Sequence, residues 1–148
     1  MESPSIASNK RKFRNENFTI SNRTPTTHLD LPIDHAIHLN RLRVGLLLNN
    51  HRFSHNFLDT PSPSCPCGAR SQNEKHFLLE CTLLQFHRNR LHRSLTDLNL
   101  IDHFNDLNKK NKINFLLYGA PDLTVVTNDS IISASSRFIF DSKHVINS

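Results

Sequence analysis

A small, mainly helical domain is the fold class this sequence predicts, with a Cys/His-stapled turn at its centre and a disordered N-terminal arm. Three observations carry that expectation. Apolar residues recur at helical spacing in successive stretches from residue 33 onward. Strand-like character is confined to the short pair Val125-Val126. All three cysteines fall in one segment between the helical stretches. The 148 residues fit one domain. Trp is absent and Asn, Ser and His abound, so the core should be modest and a staple would help it.

Residues 1–29 are polar and form the expected disordered arm. Its basic burst, Lys10, Arg11 and Lys12 with Arg14, suits phosphate contact or nuclear import, or is simply a solvated charge run. The domain proper is expected over 30–142, followed by a tail over 143–148. Asp30-Leu31-Pro32 reads as a helix start, with Asp as cap and Pro in the first turn. Ile33, Ala36, Ile37, Leu39 and Leu42 then supply an apolar stripe, with Arg41 and Arg43 between them, and Gly45 breaks the helix. A second short helix is expected over 46–57, decorated by His51, Arg52 and His55.

The turn-rich run Asp59-Thr60-Pro61-Ser62-Pro63-Ser64 delivers the chain to Cys65. Ser71 with Glu74 reads as a capping box, so a helix should start near Gln72. Thr82 with Gln85 repeats that pattern, and a helix should follow over 83–95. Leu83, Leu84, Phe86, Leu91 and Leu95 are expected on its apolar side, with Arg88, Arg90 and Arg93 on the charged side. Residues 95–104 are ambiguous. Residues 112–118 read as a helix with Ile113, Phe115, Leu116 and Leu117 inward, stopped by Gly119 and Pro121. Thr127 or Asn128 should cap a last helix through Ile131, Ile132, Ala134, Phe138 and Ile139.

The chemistry concentrates at Cys65, Cys67, His76 and Cys81, spaced C-x-C-x8-H-x4-C inside an expected module over 60–95. Thiolates and imidazole nitrogens in this number fit one tetrahedral Zn²⁺ site and leave no thiol over. Cys-Pro-Cys-Gly places two sulfurs on a tight turn, with Gly68 freeing the backbone. His76 falls early in the predicted helix and Cys81 just beyond it. His87 is a rival for the fourth position. A ligand set made wholly of protein groups closes the site, so the metal is structural and activates no water. Three thiolates, a neutral imidazole and Zn²⁺ leave one net negative charge, which Arg70 and Lys75 are near enough in sequence to offset.

Other catalytic chemistry is thin. Three glycines make no phosphate loop, and no carboxylates stand as a tight pair. His51, His55, His87, His92 and His103 read as ordinary solvated or partly buried side chains. No run approaches the roughly 18 apolar residues of a membrane span. The N-terminus lacks the apolar core of a secretory signal. The expected setting is therefore intracellular, cytoplasmic or nuclear, with reduced thiols. The formal charge of +5 favours a polyanionic partner. A metal-fixed turn feeding a helix with Arg88, Arg90 and Arg93 suits contact with an RNA or DNA backbone, as do Arg41 and Arg43. An ordinary amphipathic helix with a charged outer face is the competing reading.

The order Arg41-Leu42-Arg43-Val44-Gly45, His51-Arg52-Phe53, Cys65-Pro66-Cys67-Gly68, Glu74-Lys75-His76-Phe77-Leu78-Leu79-Glu80-Cys81 and an Arg-containing helix resembles the C-terminal region of non-LTR retrotransposon reverse transcriptases. Asn114-Phe115-Leu116-Leu117-Tyr118-Gly119 and the stretch 131–140 extend the likeness, which covers roughly residues 35–142. Cys65, Cys67, His76 and Cys81 match the family's zinc-type ligands. Lys75 departs from the acidic or apolar residue expected there. No Y-x-D-D box and no endonuclease-type segment precede the cluster. The resemblance thus implies a truncated, non-catalytic polymerase tail that holds RNA or DNA, with no small-molecule substrate. Its alternative is a zinc-stabilised helical domain that packs on a protein partner such as the missing polymerase part.

Overall fold

The computed structural model of the chain describes residues 31–146. The arm with Lys10, Arg11 and Lys12, and the Asp30 cap, lie outside the described residues. The described residues are mainly helical and contain no strand. The α-helices are α1 (Ile33–Arg43), α2 (Asn49–Ser54), α3 (Gln85–Asp97), α4 (Ile101–Asp106), α5 (Lys109–Tyr118) and α6 (Val125–Ile146). A π-helical turn (His76–Glu80) and a 3-10 turn (Thr82–Leu84) precede α3.

Helix α6 is the central element, with α1, α3 and α5 packed against it. It buries Ile131, Ile132, Phe138 and Ile139, together with the small residues Ser135, Ser136 and Ser142. Leu39 and Leu42 of α1, Leu91 and Leu95 of α3, and Phe115, Leu116 and Leu117 of α5 complete the core with Leu78 and Leu84. Phe77, from the π-helical turn, meets Phe138 edge-on at 5.9 Å between centroids. The metal-ligand segment is thereby anchored to α6 by an aromatic contact.

Three helices end in the same way. After α1, Gly45 N–H donates to Leu42 O at 3.0 Å and Leu46 N–H to Arg41 O at 2.8 Å. After α2, Asn56 N–H donates to Phe53 O and Phe57 N–H to Arg52 O, both at 3.0 Å. After α3, Asn99 N–H donates to Thr96 O and Leu100 N–H to Leu95 O, both at 2.9 Å. These are Schellman closures, which need a left-handed residue just past the helix. Gly45 (φ 85), Asn56 (φ 60) and Asn99 (φ 61) supply it. The sequence reading found Gly45 but passed over the two asparagines. Asn56 stops α2 (Asn49–Ser54) short of the expected 46–57, and Asn99 splits 95–104 into the end of α3 and the start of α4.

Helix starts also differ from expectation. Ser71 does not cap: its hydroxyl donates to Asn50 Oδ1 at 2.9 Å, and Asn73 Oδ1 instead accepts the His76 N–H at 2.9 Å. Thr82 opens a 3-10 turn, and no side chain caps α3. Helix α5 begins at Lys109, three residues early, because Asn108 Oδ1 accepts the Asn111 N–H at 2.8 Å. Helix α6 is capped by Thr124, whose Oγ1 accepts the Thr127 N–H at 3.1 Å. Thr127 and Asn128 are thus inside the helix, and the strand-like Val125-Val126 pair forms its exposed first turn. A cap outweighs the slight β preference of two valines.

The corner between α5 and α6 is closed by a side chain. Asn128 Oδ1 accepts the Ala120 N–H at 2.9 Å and its Nδ2 donates to Ala120 O at 2.8 Å. Gly119 (φ 77) lies directly against that amide, and a Cβ there would collide with Asn128 Oδ1.

Candidate metal centre

The site is built on three short pieces of backbone. The first is the cysteine knuckle. Cys65 N–H donates to Ala69 O at 3.0 Å and Gly68 N–H to Cys65 O at 2.9 Å. Gly68 has φ 102, a conformation that disfavours any side chain. This tight loop turns both sulfurs to one side.

The second piece is the π-helical turn. Cys81 N–H donates to His76 O at 2.8 Å, a bond spanning five residues. On an ideal α-helix, residues five apart would diverge by about 140° around the axis. The widened turn, with Cys81 in extended backbone (φ −62, ψ 123), brings the His76 and Cys81 donors to the same centre.

The third piece is Gln72, which is fully buried. Its N–H donates to Pro63 O at 2.8 Å, and its carbonyl accepts the Asn50 N–H at 3.1 Å. Its Oε1 accepts the Asn49 N–H at 2.8 Å, and its Nε2 donates toward Cys65 Sγ at 3.6 Å. One side chain thus caps α2 and touches a ligand sulfur.

The four donor atoms of Cys65, Cys67, His76 and Cys81 all lie within 4.8 Å of one another. Cys65 Sγ and Cys81 Sγ are 3.7 Å apart, and Cys67 Sγ is 3.1 Å from His76 Nε2. Bond lengths typical of tetrahedral zinc set S···S near 3.8 Å and S···N near 3.5 Å. The donor atoms are therefore close enough together to hold one metal ion. Cys65, His76 and Cys81 are buried and Cys67 is half-buried. His87, the rival ligand, is outside the group.

Burial pushes the Cys81 thiol up to about 12. Burial also acts upward on Cys67, but hydrogen bonds from the Ala69 backbone and the neighbouring thiols hold it below its ordinary value. Burial lowers the His76 imidazole, partly opposed by Glu80 and reinforced by Arg88. A lowered imidazole is neutral at pH 7, the form that ligates.

Arg88 is the largest departure from expectation. It was expected on the charged outer side of its helix, yet only 3% of it is exposed. Its guanidinium donates to Leu78 O at 3.1 Å, Cys81 O at 2.9 Å and Phe77 O at 3.3 Å. The Leu78 and Phe77 carbonyls belong to the π-helical turn, and the Cys81 carbonyl just after it also accepts the Leu84 N–H at 3.2 Å. Arg88 is therefore spent inside the protein and is withdrawn as a phosphate contact. It is also the buried cation nearest the ligands, whereas Arg70 and Lys75 are exposed. Burial lowers its pKa, against the pull of Cys81 and Glu80.

Arg43 is withdrawn for a similar reason. Its Nε donates to Leu117 O at 3.0 Å, Nη2 reaches the same oxygen, and the guanidinium lies 4.8 Å from the Tyr118 ring centre. It closes the C-terminus of α5, and burial lowers it to about 10. Arg41, Arg90 and Arg93 remain exposed. Arg90 stands 3.8 Å from Asp141. Leu83 and Phe86 were expected inward but are exposed, because Arg88 takes the inward direction one turn later. Among the other histidines, His51 stacks on His55 at 4.1 Å, and His92 and His103 lie against Phe104 and Phe115.

Gln72 and the inward Arg88 are the two site residues that sequence reasoning missed. Gln72 carried no motif. Arg88 had a faint signal, being one turn from the buried Leu84 and Leu91. No helix among the described residues is long and apolar enough to cross a membrane. No family model, no curated protein and no solved structure matches the chain.

Proposed function

We propose that Cys65, Cys67, His76 and Cys81 hold Zn²⁺ as a structural centre, and that the chain is a non-catalytic nucleic-acid-binding module. The closeness of four soft donors carries the metal assignment. Zinc when bound would supply folding free energy at the turn and fix the start of α3. From that start, Arg90 and Arg93 reach solvent, and Arg41 adds an exposed cation on α1. With a formal charge of +5, these cations suit a phosphate backbone. The reading agrees with the resemblance to the C-terminal region of non-LTR retrotransposon reverse transcriptases. The chain would then serve as a polymerase tail inside the cell, with RNA or DNA and the polymerase part as partners.

One observation favours a second reading, a zinc-stabilised surface for a protein partner. Phe53, Phe57, Leu58 and Phe86 are exposed, Phe86 at 69% and Leu58 completely. Titration of the zinc-loaded chain with fluorescent RNA at about 50 and 200 mM salt separates the two readings. Binding that weakens steeply with salt supports the nucleic-acid module. No binding at about 50 mM salt overturns it in favour of the protein-binding surface.

A further inference from the structure

The groove between α3 and α6 is not used by the metal centre. It encloses about 150 Å³. Pockets for whole small molecules start near 300 Å³, so this groove suits one unit of an extended ligand. Its titratable lining is Arg90, Arg93, Asp97 and His87 from α3, with Arg137 and Asp141 from α6. Three guanidinium groups and two carboxylates therefore share one wall-to-wall seam. The Arg90–Asp141 pair is 3.8 Å apart, longer than the roughly 2.7–2.9 Å of a direct charged hydrogen bond. Both groups keep capacity for another partner. His87 Nδ1 is buried and has no hydrogen-bond partner among the described residues. Phe138, the one phenyl ring of the lining, is itself buried and offers no face to a base.

A ligand suited to this lining presents anions to the guanidinium groups and hydroxyl donors to the carboxylates. A bare phosphodiester backbone would face Asp97 and Asp141 with like charge. A backbone with a hydroxyl beside each phosphate gives both kinds of group a partner. We infer that the α3/α6 groove seats the ribose-phosphate backbone of RNA. Arg93 and Arg137 take phosphate oxygens, while Asp97 and Asp141 accept from 2′-hydroxyls. The inference rests on the proposed nucleic-acid binding. It adds a location for that binding, a preference for RNA over DNA, and a role for Arg137.

The test compares an RNA of about twelve nucleotides with DNA of the same sequence by fluorescence anisotropy, using the full zinc-loaded chain. RNA should bind about tenfold more tightly than DNA. Arg93→Gln and Arg137→Gln should each weaken RNA binding about fivefold and reduce the log–log salt slope by about 1. Both side chains are exposed, so helix content by circular dichroism should stay unchanged. Lys110→Gln, which removes the same charge from the exposed face of α5, should cost less than about twofold. Asp141→Asn should narrow the RNA-to-DNA ratio. RNA binding that ignores Arg93→Gln and Arg137→Gln, or that falls equally with Lys110→Gln, overturns the groove but leaves nucleic-acid binding standing. Equal affinity for RNA and DNA also overturns it. Absence of any RNA binding at about 50 mM salt removes both proposals together.

Discussion

Residues 60–84 and helix α6 bury their side chains by opposite means. Helix α6 is a 22-residue rod whose apolar face meets three other helices. Its backbone hydrogen bonds are internal, and its order comes from area removed from water. Residues 60–84 contain only short helical turns. Their carbonyls and amides find partners in Gln72, Asn73 and Arg88 instead of a regular ladder. Apolar burial there is concentrated at Phe77, Leu78 and Leu84, with Cys65 and Cys81, so the polar run before Phe77 has little apolar area with which to oppose chain entropy. The contrast adds polar bonds, and the proposed metal, to the packing of Phe77, Leu78 and Leu84 in the first region, and leaves the second to packing alone.

The largest expected effect comes from removing the metal. Structural zinc contributes about 10–16 kcal/mol of apparent binding free energy in small zinc-finger peptides. Chelation, or Cys81→Ser, should abolish amide-exchange protection across 60–84 while much of α6 stays helical. Hydrogen exchange resolved by segment measures this. Equal protection of 60–84 with and without metal would show that the polar bonds alone hold the region.

Replacing Arg88 by Met tests the link between the two regions. The aliphatic stem is kept, but the Phe77 and Leu78 carbonyls lose the Arg88 donor and the Cys81 carbonyl keeps only the Leu84 N–H. Charged hydrogen bonds to buried groups set the cost at roughly 2–4 kcal/mol. Metal affinity should fall with stability, because Cys81 is one of the four proposed ligands. A thermal melt and a competition titration with a coloured chelator report the two quantities. An unchanged metal affinity would separate the brace from the centre.

The smallest effect is expected at the edge of the metal region. Arg52 Nη2 contacts both Asp59 oxygens at 2.5 Å, and this hydrogen bond holds the carboxyl below its ordinary value. A depressed carboxylate contributes stability above its unfolded pKa and loses it as pH falls through the folded one. Asp59→Asn should therefore lower the melting temperature slightly at pH 7. The deficit should shrink toward the carboxyl range in acid. A deficit independent of pH would assign the loss to packing of Asp59 on its turn.

The same contrast explains what could be read in the sequence. The Cys/His spacing was legible because all four ligands sit within 17 consecutive positions, where local geometry dominates. The core faces of α5 and α6 were legible because Phe115, Leu116, Ile131, Ile132 and Ile139 repeat at helical spacing. Arg88 was not, since a charge is placed outside by default and only the carbonyls of Phe77, Leu78 and Cys81 that accept from it make the interior favourable. Asn56 and Asn99 were missed as helix stops because asparagine takes the left-handed conformation far less often than glycine. The Ser71 cap failed because Asn73 stood two residues on, and Ser71 was drawn to Asn50 across the fold.

The Gly119–Asn128 corner has a consequence for how this chain can vary. The Asn128 amide occupies the space that any side chain at position 119 would need. It also provides the two bonds that satisfy Ala120. Enlarging residue 119 displaces the amide, and shortening residue 128 takes the acceptor from the Ala120 N–H and leaves the Ala120 carbonyl with the Leu123 N–H alone, while position 119 keeps its left-handed φ. Neither position can drift alone, so in mutational terms these two residues, nine apart in sequence, behave as a single inherited character.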